Sequence, residues 1–211
     1  GIRTQHRMNT NEDLNKAYWE ERYNNQQTAW DIGAISPPMK SAIDQLAFQY
    51  PDKKDLNILI PGAGMGYEAI YLHQKGYTNV HVLDIAKKPL AEIALKCENF
   101  PEDHLHCTNF FDFQKEPFDM ILEQTFFCAI PPNNREMYAR KMHELLKPKG
   151  ILTGLLFNFP LTEDGPPFGG SIEEYLDLFD PYFLVNFMET AQNSIKPRED
   201  KELFFIFENR T

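Results

Sequence analysis

Apolar positions along the chain fall into two alternating patterns. Short runs with no helical spacing occur at 56–60, 80–83, 105–108, 118–123 and 151–157, and each reads as a buried strand. Between them, apolar residues recur at helical spacing. Ser36 as cap and Pro37 as first residue open a helix to about Tyr50, with Met39, Ile43, Leu46 and Ala47 facing inward. Ala69, Ile70 and Leu72 mark a second helix, and Leu90, Ile93, Ala94 and Cys97 a third over Pro89–Phe100. Asn133 caps a fourth, through Met137, Ala139, Met142 and Leu145, which Lys147-Pro148-Lys149-Gly150 ends. After a loop rich in Gly and Pro, Ser171 caps a helix to Phe179. Phe183–Met188 and Leu203–Phe207 then close the chain as strands. The polar segment joining them, with Asn193, Lys196 and Arg198, has no helical pattern, so the pair is expected antiparallel at one edge. Strands alternating with helices predict an α/β fold: a mainly parallel sheet covered on both faces. No linker, repeat or low-complexity stretch divides residues 1–211, so one domain is expected.

The first strand stops at Pro61 and opens into Gly62-Ala63-Gly64-Met65-Gly66 before a helix begins. Strand, glycine turn and helix form half of a nucleotide-binding βαβ unit, because glycine lets backbone approach a ligand that a Cβ would displace. The next strand ends at Asp84, about twenty residues on, where a carboxylate can accept hydrogen bonds from ribose hydroxyls. A dinucleotide turn spells G-x-G-x-x-G and aims a helix N-terminus at pyrophosphate. Here the spacing is G-x-G-x-G, with Glu68 in the first helical turn, where a carboxylate would repel pyrophosphate but not a zwitterionic amino acid. Acidic residues at that position are also ordinary partners of the helix dipole. The turn and Asp84 together resemble those of a class I methyltransferase that binds S-adenosylmethionine.

Bulk properties narrow the partners. A net charge of -10 argues against a nucleic-acid duplex, which wants basic surface. No apolar run reaches the length of a membrane span, and no signal-peptide pattern is visible. Cys97, Cys107 and Cys128 are odd in number and lack metal-type spacing, which fits a reduced cytoplasmic protein. His104 and His106 would share one face of a strand and read as solvated strand-end histidines; no metal site is expected.

Several blocks together resemble the thiopurine S-methyltransferase family, and more closely its bacterial members and the plant halide/thiol methyltransferases. They are Trp30-Asp31-Ile32-Gly33 with Pro37, Pro61 through Tyr67, Leu83-Asp84-Ile85 and Asn109-Phe110-Phe111. Thr125-Phe126-Phe127-Cys128-Ala129-Ile130 with Arg135, Leu145-Leu146-Lys147-Pro148 and Gly165-Pro166-Pro167-Phe168 complete the set. The resemblance implies a Rossmann-like class I methyltransferase fold with a seven-stranded sheet and an N-terminal lid at about residues 11–50. It implies S-adenosylmethionine as cofactor, with Gly62, Gly64 and Gly66 along its amino-acid part, Asp84 and Ile85 at the ribose, and Asn109 and Phe110 flanking adenine. Trp19, Tyr23 and Trp30 fall in the lid. From the residues alone they read equally as aromatic packing and as a cover over the cationic sulfonium. Arg135 would lie on the substrate side, or else be a surface helix arginine. Three positions depart from the family: Ala63 replaces its usual Cys, Gln124 stands at a Tyr of the plant halide enzymes, and Tyr23 at a Trp.

The expected activity is methyl transfer to a small nucleophile (a thiol, halide or thiopurine) by in-line displacement. Tyr23, Trp30 and Phe126 or Phe127 would wall a dry pocket, Gln124 would orient the acceptor and Arg135 attract its charge. A thiolate or halide needs orientation and desolvation more than acid or base, in keeping with a chain that shows no catalytic dyad. A methyltransferase for protein or RNA, and a sensor that binds S-adenosylmethionine without transfer, are the rival readings. A nicotinamide oxidoreductase ranks last because the turn spacing is wrong.

Overall fold

The computed structural model describes residues 15–25 and 31–211. The apolar runs pair as strands: β1 (Ile58–Pro61), β2 (Val80–Asp84), β3 (Leu105–Cys107), β4 (Phe118–Glu123), β5 (Leu146–Phe157), β6 (Phe183–Thr190) and β7 (Glu202–Asn209). They make one seven-stranded sheet in the order β3-β2-β1-β4-β5-β7-β6. Every pairing among β1 to β5 is parallel, whereas β7 runs antiparallel to both β5 and β6. The expected mainly parallel sheet with an antiparallel C-terminal pair is therefore present.

The helical stretches are α1 (Lys16–Asn24), α2 (Pro37–Gln49), α3 (Tyr67–Gln74), α4 (Lys87–Lys96), α5 (Arg135–Leu145) and α6 (Ile172–Phe179). Successive strand residues point to opposite faces, so the sheet needs cover on both. Met39 of α2, Leu72 of α3 and Ile93 of α4 bury against Ile58, Ile60 and Val82 on one face. Tyr138 and Met142 of α5 and Phe179 of α6 bury against Leu59, Ile121 and Phe207 on the other. The chain leaves β1 towards β2 on one side and later returns to β4 on the other. That reversal opens a crevice beyond the carboxyl ends of β1 and β4, the place where open α/β sheets bind ligands.

Local differences from the expected elements have identifiable causes. Strand pairing begins at Leu146, immediately after α5, because Leu146 pairs with Phe118 before a register break that resumes at Met120 and Ile151. The carbonyls left over at the helix end are taken by Asn209 of β7, whose Nδ2 donates to His143, Leu146 and Lys147 oxygens at 3.1–3.2 Å. Helix α4 starts at Lys87, with Pro89 in its first turn where a missing N–H costs nothing. Ser171 caps α6 through its hydroxyl, but Ser36 precedes α2 without a side-chain cap bond.

The histidines depart furthest from expectation. His104 lies on a 3-10 turn before β3, and the buried His81 of β2 stacks on it with ring centroids 4.0 Å apart. His81 Nε2 faces Asn79 Oδ1 at 3.1 Å and so carries the proton, leaving Nδ1 to accept from His106 Nε2 at 3.0 Å. His104 Nδ1 faces the Val80 carbonyl at 3.1 Å. The three rings thus stack together, with His81 and His106 hydrogen-bonded to one another. Among the described residues no group of three or more His, Cys, Asp or Glu is arranged to hold a metal.

Burial, then the His104, His106 and Lys115 charges, hold His81 far below its ordinary 6.5, at about 3, against the opposite pull of Asp103. The unfolded chain takes up this proton below 6.5 while the folded chain refuses it, so acidification across that window costs stability. His81→Leu, which keeps apolar contact with Phe118, is expected to lose less melting temperature than the parent between about pH 7 and pH 5 by calorimetry.

Candidate active site

The crevice at the ends of β1 and β4 is a cleft of about 600 Å³, within the roughly 300–1,000 Å³ of small-molecule sites. Its floor is the glycine turn. Gly62 accepts no side chain: its φ is +73°, and an added Cβ would sit 2.7 Å from Phe126 Cδ1. Gly64 lies on the open side, with no atom within 4 Å of an added Cβ. Asp84 organises this floor from β2. One carboxylate oxygen accepts from Ala63 N at 2.9 Å and the other from Ala86 N at 2.9 Å. Each oxygen keeps acceptor capacity for a ligand hydroxyl. Burial raises the Asp84 carboxyl to about 6, and the amides of Ala86, Ala63 and Ile85 pull the other way.

One side wall runs through Ile85, Thr108, Asn109 and Phe110. Asn109 Oδ1 accepts from Phe111 N at 2.9 Å, which fixes the tight turn carrying Phe110. The opposite wall comes from the loop after β4, where Thr125, Phe126, Cys128 and Ala129 reach the cleft. Phe126 meets Phe110 edge-on at 5.1 Å, while Phe127 is in the core. Above the floor, α1 contributes Trp19, Arg22 and Tyr23. It is tied down by Lys88 Nζ donating to the Tyr23 carbonyl at 3.2 Å.

Of the expected site residues, Trp19, Tyr23, Gly62, Gly64, Asp84, Ile85, Asn109, Phe110 and Phe126 all line this one cleft. Trp30 lies outside the described residues. Gly66 is buried behind the turn with φ +80°, packed on Ile93 at the start of α3. Gln124 borders a separate water-sized cavity with Glu123, Cys128 and Glu202, and its Oε1 has no hydrogen-bond partner. Arg135 is buried in α5 and engaged elsewhere: Nη2 donates to the Gly169 carbonyl at 2.5 Å and the guanidinium lies 4.5 Å over the Phe127 ring. With Phe168 N donating to the Cys128 carbonyl at 2.8 Å, it anchors the loop that brings Pro166 and Pro167 to the cleft.

Contributors not singled out from sequence include Arg22 of α1, Thr108 after β3, Cys128, Phe157 at the end of β5 and Arg198 in the β6–β7 join. Arg198 stands 3.7 Å from Glu202 and is close enough to lower the Glu68 carboxyl, which burial raises to about 7. Only antiparallel return of β7 beside β5 brings the join over the cleft, so no local pattern could mark it.

A nucleoside ligand with an amino-acid tail fits this arrangement: an open glycine floor, a carboxylate with spare lone pairs at one end, and aromatic side chains beyond it. Asp84→Ala is expected to raise the dissociation constant for S-adenosylmethionine about 10- to 100-fold by calorimetry, the range of a charge-assisted hydrogen bond. In the parent, affinity should be flat above about pH 6 and fall below it, as Asp84 takes up its proton. Gly62→Ala, which must force both φ +73° and the Phe126 ring, should lower the melting temperature by about 3–6 °C and weaken binding together.

Comparison with known proteins agrees with the geometry. Residues 14–210 match the profile of the family described as thiopurine S-methyltransferase. A probable thiol methyltransferase 2 of Arabidopsis thaliana is 31% identical over 161 residues, covering 74% of this chain and 69% of that protein. Thiocyanate methyltransferase 1 of Brassica oleracea is 28% identical, covering 90% of this chain and 84% of the relative. In three dimensions the chain is similar to the Burkholderia thailandensis 1,6-didemethyltoxoflavin N1-methyltransferase, solved with S-adenosylhomocysteine, at TM-score 0.70 and 17% identity over 93% and 87% of the two chains. The chain belongs to the thiopurine S-methyltransferase family, and it is an S-adenosylmethionine-dependent methyltransferase.

Proposed function

We propose that the acceptor is a small, soft, anionic nucleophile, a thiolate or an inorganic anion such as thiocyanate or halide, rather than protein or nucleic acid. The charge of the cleft carries this reading. The whole chain bears a net charge of -10, yet among the described residues the cleft lining holds two arginines, Arg22 and Arg198, against one carboxylate, Asp84. Arg198 lies 5.8 Å over the Phe157 ring and 3.7 Å from Glu202, and Pro166, Pro167 and Phe126 add apolar surface to the same cleft. An anion drawn into such a site sheds water and gains nucleophilicity. The names of the relatives, a thiol and a thiocyanate methyltransferase, support the same class.

S-adenosylmethionine supplies an electrophilic methyl group on a cationic sulfur. The chain's residues then have three tasks. Asp84 and the glycine turn hold the nucleoside and amino-acid ends, and Gly66, behind the turn, supports it. Trp19 and Tyr23 of α1 close over the site as a lid, and their ring faces favour the cationic sulfur. Arg198 and the proline-bearing loop orient the acceptor for in-line attack, which accounts for the rate without a general base. Arg135 and Gln124, expected on the acceptor side, act through that loop and the β4–α5 loop, Arg135 by its bond to Gly169. The chain works as one methyltransferase unit. A cytoplasmic setting is in keeping with Cys97, Cys107 and Cys128, all free thiols. Among the described residues no helix is long and apolar enough to cross a membrane.

The test follows S-adenosylhomocysteine by mass spectrometry with thiocyanate, iodide, hydrosulfide, an aryl thiol, a thiopurine and selenite in turn. Product is expected with at least one anionic acceptor; silence across the panel with cofactor binding intact would overturn the reading. Arg198→Ala should raise the KM for the active anion about tenfold or more while moving cofactor affinity less than about threefold.

A further inference from the structure

Glu123 ends β4 as a fully buried carboxylate at the root of the loop that forms one cleft wall. Three donors converge on it. Phe126 N reaches Oε2 at 2.9 Å, Phe127 N is shared between both oxygens at 3.1 Å, and the Tyr138 hydroxyl of α5 reaches Oε1 at 2.5 Å. To fold those amides back, the chain passes through Thr125 at φ +54°, a left-handed conformation costly for a β-branched residue. On the far side, β5 crosses so closely that a Cβ on Gly154 would overlap the Glu123 backbone. Phe126, held by this grip, is the same ring that closes on Gly62 and faces the cleft.

We propose that Glu123 is a positioning residue for methyl transfer: its carboxylate clamps the Thr125–Ala129 loop so that Phe126 and Thr125 stand at the distance from the glycine turn that aligns acceptor with methyl group. The inference rests on the small-anion reading above. A neutral side chain would cap the same turn without the several kcal/mol that burying a charge costs, so the charge needs a reason beyond folding. Only the ionised form suits three donors at once, since an ionised carboxylate is acceptor alone. The protonated acid keeps Tyr138 only by reversing that bond, donating its O–H to the phenol oxygen and displacing the buried phenol proton from its acceptor. Burial raises this carboxyl to about 7, against the lowering pull of Tyr138, Phe127 and Phe126. The other titratable groups around it are Cys128 of the same loop, Tyr175 of α6 and, across the small cavity, Glu202 of β7 with its ion-pair partner Arg198. The loop therefore tightens as the pH rises through neutrality.

The experiment compares the parent with Glu123→Gln, Glu123→Asp and Tyr138→Phe. Thiocyanate is the acceptor because its charge is constant across the range, so the acceptor adds no pH dependence, and cofactor is kept saturating. In Glu123→Gln an amide donor faces backbone donors. The Phe126 and Phe127 amides should then exchange hydrogen about tenfold faster or more. Turnover should fall about 100-fold, with cofactor affinity changed less than about threefold. Glu123→Asp should restore part of the turnover. Parent turnover should rise through about pH 7, the limb vanishing in Glu123→Gln and persisting in Glu68→Gln. Tyr138→Phe, which removes a bond that favours the ionised form, should move the limb to higher pH. Unchanged amide exchange and turnover in a folded Glu123→Gln would overturn the proposal. So would a parent profile flat through neutrality, or a limb that disappears with Glu68→Gln instead. If the parent methylates no acceptor, it is the small-anion reading that fails, and amide exchange alone decides whether Glu123 clamps the loop.

Discussion

The carboxylate of Asp84 is the constraint on which the cofactor side depends. It sits at the end of β2, buried, and spends both oxygens on backbone amides from two different segments, Ala63 in the glycine turn and Ala86 before α4. Those bonds set the turn against the strand, so the group proposed to receive the ribose also fixes the floor of the cleft. The glycine turn's positive φ angles are useful only because that anchor holds them in one conformation. A binding site is thereby built into the sheet rather than attached to it, at the one edge where the order of strands reverses.

The wall proposed to receive the acceptor is built on another principle. Its residues come from segments far apart in sequence. The loop after β4 contributes Thr125 through Pro131 apart from Phe127, the proline-bearing loop before α6 gives Pro166 and Pro167, the end of β5 gives Phe157, and the β6–β7 join gives Arg198. Their positions are held by interactions out of the cleft: Arg135 on Gly169, Cys128 carbonyl on Phe168, Tyr175 hydroxyl on the Phe157 carbonyl at 2.6 Å. Anchors of this sort leave the facing side chains free to vary, which is how one sheet can serve relatives named for different acceptors.

What was legible in the sequence follows from this contrast. The glycine turn, Asp84 and the Asn109-Phe110 pair are each a few consecutive residues whose backbone requirement shows in their types, and all of these except Gly66 line the cleft. The parallel strands were legible because their apolar runs lack helical spacing. Arg198 was not, since an arginine in a polar join looks like any solvated residue until β7 returns beside β5. Arg135 showed the reverse problem: a charged residue near an active-site block reads as a ligand contact, whereas its guanidinium is occupied by a carbonyl and an aromatic ring. His81 was read through by its strand, because alternation gives the face of a side chain but not the neighbours it will stack on. Asn209 likewise caps a helix 60-odd residues away, beyond the reach of any local rule.

The place of β7 in the sheet also bears on how the enzyme comes into being. β7 is last of the strands in chain order, yet it lies between β5 and β6, both made before it. On the ribosome, β1 to β5 can pair as they emerge, and the cofactor floor can form on the nascent chain. Until β7 is released from the exit tunnel, the apolar edge of β5 stays open and β6 has no partner, a state prone to mispairing with other chains. The final insertion removes that hazard and, in the same movement, carries Arg198 over the cleft. Completion of the sheet and arrival of the arginine at the cleft thus depend on the same strand.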